Sequence, residues 1–484
     1  MAEHLDVLIV GAGLSGVGAA WRLSREHPER SYAVLEGRAA LGGTWDLFRY
    51  PGVRSDSDMF TMSYPFRPWR SDRSLADGES IRTYIREIVE DGGIGPRIRF
   101  DTKVTRAAWS SEAARWTVET SNGTYTCKFL YCCSGYYDYD SGYEPDFKNK
   151  ADFTGTFVHP QFWPADLDTR GKRIVVIGSG ATAVTLVPTL APTAEHVTML
   201  QRSPTYLTVL PGRDKMAAAL MRRLPAGAAH RLVRARNVAM QQGFYQLARR
   251  RPERVKALLR RFAVGRLGDE AYVDKHFKPT YQPWDQRLCV IPDGDLYNAI
   301  REGKASVATD TIQEFVPEGI RLGSGEVLEA DIVVSATGLS LLPLGGIALE
   351  KDGAPLNPRD MVAYRTMMLS GVPNLAFCIG YTNASWTLRA DLSHRYVMRL
   401  LTFMDRNGYA TATPDAEPPG PRRPLLDFTS GYVQRALHLF MQQGERDPWT
   451  VKQNYIYDLV RSPRADLRRG MTFTRKRARV GAAA

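Results

Sequence analysis

The chain has 484 residues, which is too long for one ordinary hydrophobic core and suits two or three domains. Its hydrophobic fraction of 44% and charged fraction of 24% are those of a soluble globular protein, and they exclude a disordered or fibrous chain. No stretch approaches the roughly 20 apolar residues that span a bilayer. The apolar stretch 7–21 follows acidic residues and contains four glycines, so it does not resemble a signal peptide.

The cysteines indicate a reducing compartment, so we expect the protein to be cytoplasmic. There are five of them, an odd number, without a Cys-x-x-Cys pair or a metal-ligand pattern. We therefore expect neither a metal site nor the redox-active cysteine pair of a flavin disulfide reductase.

The formal charge of +12 is spread thinly along the chain, apart from two basic runs at 249–261 and 468–479. Neither run has a nucleic-acid recognition motif, so we expect no nucleic-acid partner. Two interpretations stay open for the basic runs. They form a solvated surface that attracts anionic cofactors, or they make peripheral contact with an anionic membrane.

The N-terminal segment predicts a dinucleotide site. The apolar run 6–10 leads into Gly11-Ala-Gly13-Leu-Ser-Gly16, and residues 17–23 continue with helical spacing. Such a turn lets the backbone approach a pyrophosphate at the start of the helix. Glu36 follows the next apolar run, where an acid binds both ribose hydroxyls and repels a 2'-phosphate. The site therefore favours FAD or NAD over NADP, and the alternative is a fortuitous glycine turn.

A second dinucleotide site is predicted after residue 172. The run 173–177 precedes Gly178-Ser-Gly180-Ala-Thr182-Ala183, and Arg202 follows the next apolar run, where the first site has its acid. A guanidinium at this position can bind a 2'-phosphate through two hydrogen bonds. The contrast assigns FAD to the first site and NADPH to the second. The alternative for Arg202 is an ordinary surface residue.

The segment between the two turns carries the spacing Phe-x-Gly-x-x-x-His-x-x-x-Trp-Pro, filled by Phe153, Gly155, His159, Trp163 and Pro164. This fingerprint resembles that of the type I Baeyer-Villiger monooxygenases, in the flavin-containing monooxygenase superfamily. The resemblance extends over nearly the whole chain. A linker histidine and tryptophan can also simply fix one domain against the other, so neither is assigned as an acid or base.

The resemblance assigns further residues to the flavin site. Gly42-Gly43-Thr44-Trp45 matches a second flavin contact of the family, although by itself it is any glycine loop. Arg49 to Asp56 matches the segment beside the flavin ring. The carboxylate of Asp56 is expected to pair with the active-site arginine, to take part in catalysis, or both.

Arg287 matches the active-site arginine of the family. The family mechanism passes through a C4a-peroxyflavin, an anion that a permanently charged guanidinium stabilises. Many members have a lysine directly before this arginine, and this chain has Gln286, so the preference for NADPH depends mainly on Arg202. Asn383 and Trp386 are candidates for the substrate pocket, with packing as the alternative for the tryptophan.

We therefore predict an α/β fold with two doubly wound, Rossmann-like dinucleotide-binding domains and a helical insertion in the second. The FAD-binding domain is expected to comprise 1–145 and 339–484, and the NADPH-binding domain 146–210 and 286–338. Apolar residues at helical spacing predict the insertion at 211–285.

The implied activity is NADPH- and O2-dependent oxidation of a ketone to an ester or lactone, with oxidation of sulfides or thioamides at sulfur. One alternative is a flavin monooxygenase restricted to sulfur or nitrogen. Another is an uncoupled NADPH oxidase, and a third is a flavin-stabilised protein that binds a membrane or nucleic acid without turnover.

Overall fold

The computed structural model describes residues 2–286, 288–426 and 428–475. Its strands are β1 Glu3–Val10, β2 Tyr32–Leu35, β3 Ile98–Arg99, β4 Val104–Ser110, β5 Arg115–Thr120, β6 Gly123–Cys132, β7 Tyr137–Gly142, β8 Thr156–Val158, β9 Arg173–Ile177, β10 His196–Gln201, β11 Leu207–Leu210, β12 Cys289–Pro292, β13 Ala305–Thr309, β14 Ile312–Val316, β15 Gly319–Leu322, β16 Val327–Glu329, β17 Ile332–Ser335, β18 Leu339–Leu341, β19 Ala348–Lys351, β20 Ala354–Leu356, β21 Ala363–Tyr364, β22 Met368–Leu369, β23 Leu375–Phe377, β24 Tyr409–Pro414, β25 Arg423–Pro424, β26 Gln442–Gln443 and β27 Met471–Arg475.

The helices are α1 Leu14–Glu26, α2 Thr44–Leu47, α3 Met59–Met62, α4 Gly78–Gly92, α5 Ala181–Leu190, α6 Lys215–Arg223, α7 Ala226–Arg250, α8 Pro252–Leu267, α9 Glu270–His276, α10 Asp295–Arg301, α11 Trp386–Asn407, α12 Gly431–Ala436 and α13 Tyr455–Arg461.

The first sheet has a parallel part and an antiparallel wing. Its parallel strands lie in the order β3-β2-β1-β6-β23. The wing consists of the first half of β6 with β5 and β4. Beyond the wing, β19 pairs in parallel with β4, and β20 pairs in antiparallel with β19. The strands β1 and β2 are buried almost throughout, as expected for a parallel sheet that is covered on both faces. Helices α1, α4 and α11 cover one face.

The run at Ile98 corrects one detail of the sequence analysis. We expected 98–134 to form an antiparallel insertion, but β3 pairs in parallel with β2 and belongs to the doubly wound part. Only β4, β5 and the first half of β6 form the antiparallel wing. A two-residue strand has too little alternation to reveal its direction.

The C-terminal part of the chain completes the first sheet. Strand β23 extends β6 with Phe377 opposite Cys132, and α11 packs against α1. Within this interface the Arg22 guanidinium donates to Asp391 at 2.6 and 2.9 Å, and both side chains are buried.

The second sheet is wholly parallel, with the order β13-β10-β9-β17-β8. Helices α5 and α10 pack with one of its faces in a shared hydrophobic core. Each glycine turn therefore follows a strand of a separate doubly wound sheet, and the predicted fold class is confirmed.

Helices α6 to α9 occupy 215–276, between β11 and β12. The domain boundaries given above stay a prediction. Among the helices of the described residues, none combines the length and the apolar character needed to cross a membrane.

Candidate active site

A cavity of about 760 Å³ lies where the two sheets meet. It brings together most of the residues predicted from the first glycine turn and its surroundings, along with Thr182 from the second. The predicted residues in its lining are Gly11, Gly13, Glu36, Gly43, Thr44, Trp45, Asp56, Thr182, Asn383 and Trp386. The cavity is therefore large enough and suitably placed for a reaction between two bound dinucleotides and a small substrate.

The first glycine turn has the close packing that a dinucleotide needs. A Cβ on Gly16 would lie 1.7 Å from the Gly11 carbonyl oxygen, and a Cβ on Gly11, where φ is +95°, would lie 2.9 Å from the Cys133 oxygen. Helix α1 begins after Gly13 without a side-chain cap. Its first N–H groups are therefore available to a pyrophosphate, and the turn fits FAD.

The carboxylate of Glu36 is held at the end of β2. It accepts hydrogen bonds from the backbone N–H of Ala12 at 2.7 Å and of Arg38 at 2.9 Å, and the residue is 5% exposed. Burial raises the pKa of Glu36, although the two N–H donors act in the opposite direction. Each carboxylate oxygen keeps a second lone pair, so the group can still accept from ribose hydroxyls.

The second segment that is predicted to contact the flavin leads into a short helix. Gly43 has φ +56° and precedes α2, and its Cα lies against that of Gly13. The Tyr139 hydroxyl lies 3.4 Å from the hydroxyl of Thr44. The two glycine segments thus form one wall of the cavity.

The second glycine turn repeats this geometry. Gly178 has φ +128°, and a Cβ there would lie 2.3 Å from the carbonyl oxygen of Ala336. A Cβ on Gly180 would meet nothing within 4 Å, and α5 begins there without a side-chain cap. This open helix start fits the pyrophosphate of NADPH. Ala183 is buried in α5, and the residues of this turn that line the cavity are Ala181 and Thr182.

Arg202 lies directly after β10 and is exposed. The Ser179 hydroxyl donates to the carbonyl of Ser203 at 3.4 Å, which places Arg202 beside the second turn. No acidic side chain of the described residues forms a salt bridge with it, so its guanidinium is available to an anionic ligand.

Segment 49–56 connects the two sheets. The hydroxyl of Tyr50 lies near the side chain of Thr182, and burial raises the pKa of Tyr50 to about 12. The Arg54 guanidinium donates to Asp295 on α10 at 2.7 Å. A Cβ on Gly52 would overlap Thr189 of α5. These contacts hold the segment across the second glycine turn.

Asp56 ends this segment, is exposed and faces the cavity. Its negative charge contributes to the raised pKa of Tyr50. Arg287 lies outside the described residues, so its pairing with Asp56 stays a prediction. Its neighbour Gln286 forms a bridge with Pro283.

Asn383, in the loop before α11, and Trp386, at the start of α11, both line the cavity. The Asn383 amide donates to the carbonyl of Gln453 at 2.8 Å, and its buried Oδ1 has no hydrogen-bond partner among the described residues. The indole N–H of Trp386 donates to the Ser15 hydroxyl at 2.7 Å, and its ring packs on Gly380. The tryptophan therefore both packs and lines the cavity.

The five fingerprint residues lie outside the cavity lining. The His159 ring packs against Gly142 of β7, and its Nδ1 accepts from the N–H of Gln161 at 3.2 Å. Burial lowers its pKa. Gly155 fits between Phe153 and the carbonyl of Asp331, Trp163 packs at the edge of the second core, and Pro164 is exposed. These contacts favour the interpretation of the segment as a structural joint.

Sequence reasoning missed several residues of the cavity wall. They come from α7 and from the loop before Arg287, and they include Arg236, Asn237, Met240, Gln241, Phe244 and Trp284. The five α7 residues recur at helical spacing, which was the available signal, but that signal does not say which face meets a cavity.

Comparison with known proteins places this geometry among flavoproteins. Residues 8–209 match the family model described as pyridine nucleotide-disulphide oxidoreductase. The chain is 51% identical to the FAD-containing monooxygenase EthA of Mycobacterium tuberculosis (strain ATCC 25618 / H37Rv), over 99% of this chain and 100% of that protein. It is 47% identical to the probable FAD-binding monooxygenase AlmA of Acinetobacter baylyi, over 95% and 93% of the two chains.

Solved structures share the fold at lower identity. An oxidized steroid monooxygenase bound to NADP has a TM-score of 0.74 at 21% identity, covering 97% of this chain and 99% of that chain. The OTEMO complex with FAD and NADP has a TM-score of 0.72 at 22% identity, covering 86% and 88%.

Proposed function

The chain belongs to the family of FAD-containing monooxygenases, and from this premise we propose that it uses NADPH and O2 to convert ketones into esters or lactones. Oxidation of sulfides and thioamides at sulfur is proposed as a second activity of the same site. The observation that carries the proposal is the single cavity onto which residues of both glycine turns open, with Asp56 in its wall.

Two sets of residues would hold the two cofactors. Glu36 would accept from the ribose hydroxyls of FAD, and the open start of α1 would meet its pyrophosphate. The start of α5 would do the same for NADPH, while Arg202 would bind its 2'-phosphate. When bound, NADPH supplies the hydride and FAD activates O2.

The protein's own contribution to chemistry is charge and position. The guanidinium of Arg287 would stabilise negative charge that develops on the ketone oxygen, because it cannot lose its proton at neutral pH. The carboxylate of Asp56 would orient that guanidinium. Phe244, with other apolar side chains of the lining, would exclude water around the reacting carbonyl.

NADPH-driven turnover of a panel of linear and aryl ketones and one thioether tests this function, with products identified by mass. The expected products are esters formed in proportion to the NADPH consumed. If only the sulfoxide appeared, the enzyme would belong to the sulfur-restricted alternative. Hydrogen peroxide without any oxygenated product would indicate the oxidase.

We also propose that α6 and α7 touch an anionic membrane. Residues 215–252 contain nine Lys or Arg and no Asp or Glu. On α7 the exposed side includes Leu232, Met240 and Leu247, and Met240 is 65% exposed although it also lines the cavity. A cationic helix with exposed apolar side chains suits an interfacial position, from which an apolar ketone would reach the cavity directly.

Sedimentation with vesicles tests this contact. We expect binding to phosphatidylglycerol vesicles but not to phosphatidylcholine vesicles, with loss of binding at high salt. The double substitution Leu232→Ser and Leu247→Ser should weaken binding, whereas Leu439→Ser, another exposed leucine, should not. Equal sedimentation with both lipids, or self-association of the protein alone, would contradict the proposal.

A further inference from the structure

Helix α7 carries a row of polar side chains at positions where a surface helix would have apolar ones. His230, Arg234, Asn237 and Gln241 are spaced by four, three and four residues, so they lie along one side of the helix. His230 and Arg234 are buried. A buried polar row must have specific partners, because burial of unpaired polar groups is costly.

The partner of Arg234 is the backbone of α3 and the residue that follows it. Its Nη1 donates to the carbonyl oxygens of Phe60, Thr61 and Ser63 at 3.0, 3.1 and 2.7 Å. The residue is 8% exposed, and within the described residues no carboxylate forms a salt bridge with it. The positive charge is therefore compensated by carbonyl oxygens at the C-terminal end of a short helix, where the backbone is negative.

The neighbours of Arg234 in the row hold the two ends of the same segment. The Asn237 amide donates to the Asp58 carboxylate at 2.9 Å, and that carboxylate also caps α3 by accepting from the N–H of Thr61. The His230 ring hydrogen-bonds the Ser63 hydroxyl at 2.9 Å. Thus α7 contacts α3 at its beginning and at its end.

This arrangement bears on the active site because Asp56 lies two residues before Asp58. Residues 56, 57, 58 and 62 line the cavity, and so do Asn237 and Gln241 from α7. We propose that Arg234 is a positioning residue, which fixes the segment 56–63 against α7 and so sets the place of the Asp56 carboxylate. The inference rests on the proposed function, since its consequence is the fraction of O2 that enters the product and the fraction that is released as hydrogen peroxide.

The position of the Asp56 carboxylate is expected to decide which of two reactions the enzyme carries out. In the coupled one, NADPH, H⁺, O2 and ketone give NADP⁺, water and ester. In the uncoupled one, NADPH, H⁺ and O2 give NADP⁺ and hydrogen peroxide, and the ketone is unchanged. A displaced Asp56 would leave cofactor binding intact, because Glu36 and Arg202 lie on other segments, but it would favour the second reaction.

Arg234→Met tests the contact without relying on activity. It keeps much of the side-chain volume and removes all the donors to the three carbonyls. Hydrogen–deuterium exchange of the FAD-loaded protein should become about tenfold or more faster in the peptide 57–64, since hydrogen bonds to charged groups restrain local opening. Arg234→Lys should be intermediate. Arg231→Met, which changes an exposed arginine on the same helix, should exchange like the wild type.

The kinetic test uses the same three variants. In Arg234→Met we expect the peroxide fraction of NADPH turnover to rise severalfold and kcat/KM for the ketone to fall about tenfold, with FAD content and KM for NADPH within twofold. Arg234→Lys should restore part of the coupling, and it carries the test if the methionine variant does not fold.

Wild-type exchange of 57–64 in Arg234→Met would overturn the inference, and so would faster exchange with unchanged coupling. A wild-type enzyme that made no ester would instead contradict the proposed function, and the exchange result would still show whether Arg234 restrains the segment.

Discussion

Replacement of Glu36 by glutamine tests the assignment of the first dinucleotide site. Both carboxylate oxygens accept backbone N–H groups, at 2.7 and 2.9 Å. Glutamine offers one acceptor oxygen and turns an NH2 group toward the other donor. It also loses the charge that strengthens hydrogen bonds from ribose hydroxyls. The loss of one charge-assisted bond costs about 1.5–3 kcal/mol, which corresponds to a Kd for FAD that is roughly 10- to 150-fold higher.

The stability of the apoprotein should change much less when Glu36 is replaced by glutamine. Burial raises the pKa of Glu36 above its ordinary 4.5, so the buried carboxyl favours folding below pH 4.5 and loses that contribution as the pH rises through the raised value. At pH 7.5 glutamine removes a buried charge while it disturbs one hydrogen bond. The two effects oppose each other, and we expect the free energy of unfolding of the apoprotein to change by about 1 kcal/mol or less.

Flavin fluorescence during titration of the apoprotein gives the Kd, and urea unfolding of the same preparation gives the stability. Glu29→Gln is a matched control, because Glu29 is exposed and lies outside the cavity lining. Unchanged FAD affinity in Glu36→Gln would refute the assignment. Equal losses of affinity and of apoprotein stability would mean that Glu36 only holds the turn.

Three further predictions concern charge. Arg202→Ala should raise KM for NADPH by about tenfold or more but leave KM for NADH nearly unchanged, since only NADPH carries a 2'-phosphate; equal changes would remove the proposed role. Arg287→Ala should keep anaerobic flavin reduction by NADPH and lose ester formation, and normal ester yield would contradict its assignment. Burial lowers the pKa of His230 and His276 to about 4 and of His394 to about 3, so their contribution to stability is complete above pH 6.5 and is lost as the pH falls toward 4. Urea unfolding at pH 7.5 and 5.0 measures this loss, and equal stability at the two values would contradict it.

The parts of the site that could be predicted are those that depend on local sequence. The first glycine turn and Glu36 lie within 26 residues, and the second turn and Arg202 within 25. Their geometry follows from backbone angles and from one strand-turn-helix unit, so a short window contains all the information. The relatives confirm that the chain is an FAD-containing monooxygenase, as the resemblance carried by the fingerprint predicted.

The cavity wall could not be predicted because its contacts are distant in sequence. Arg54 and Asp295 are 241 positions apart, and Asp58 and Asn237 are 179 apart. Periodicity also misleads on α7, because it assumes that the buried side of a helix is apolar, whereas His230 and Arg234 are buried on this helix. The sequence predicted a helical insertion at 211–285, but it carried no information on the contact between α7 and Asp58.

The same division between local and distant contacts should separate cofactor affinity from coupling. Glu36 and Arg202 each belong to one of the two strand-turn-helix units that carry the glycine turns. A change at either residue therefore alters the binding of one dinucleotide and leaves the other site intact. Arg54 and Arg234 join segments that are far apart in sequence, and neither lies at the predicted phosphate or ribose contacts. Changes at these two positions should therefore leave both dinucleotides bound while they alter how much of the activated oxygen reaches the substrate. Several such contacts hold segment 49–63 in place. The loss of one contact should therefore increase peroxide release only in part, without abolishing turnover, and the loss of a second should increase it further.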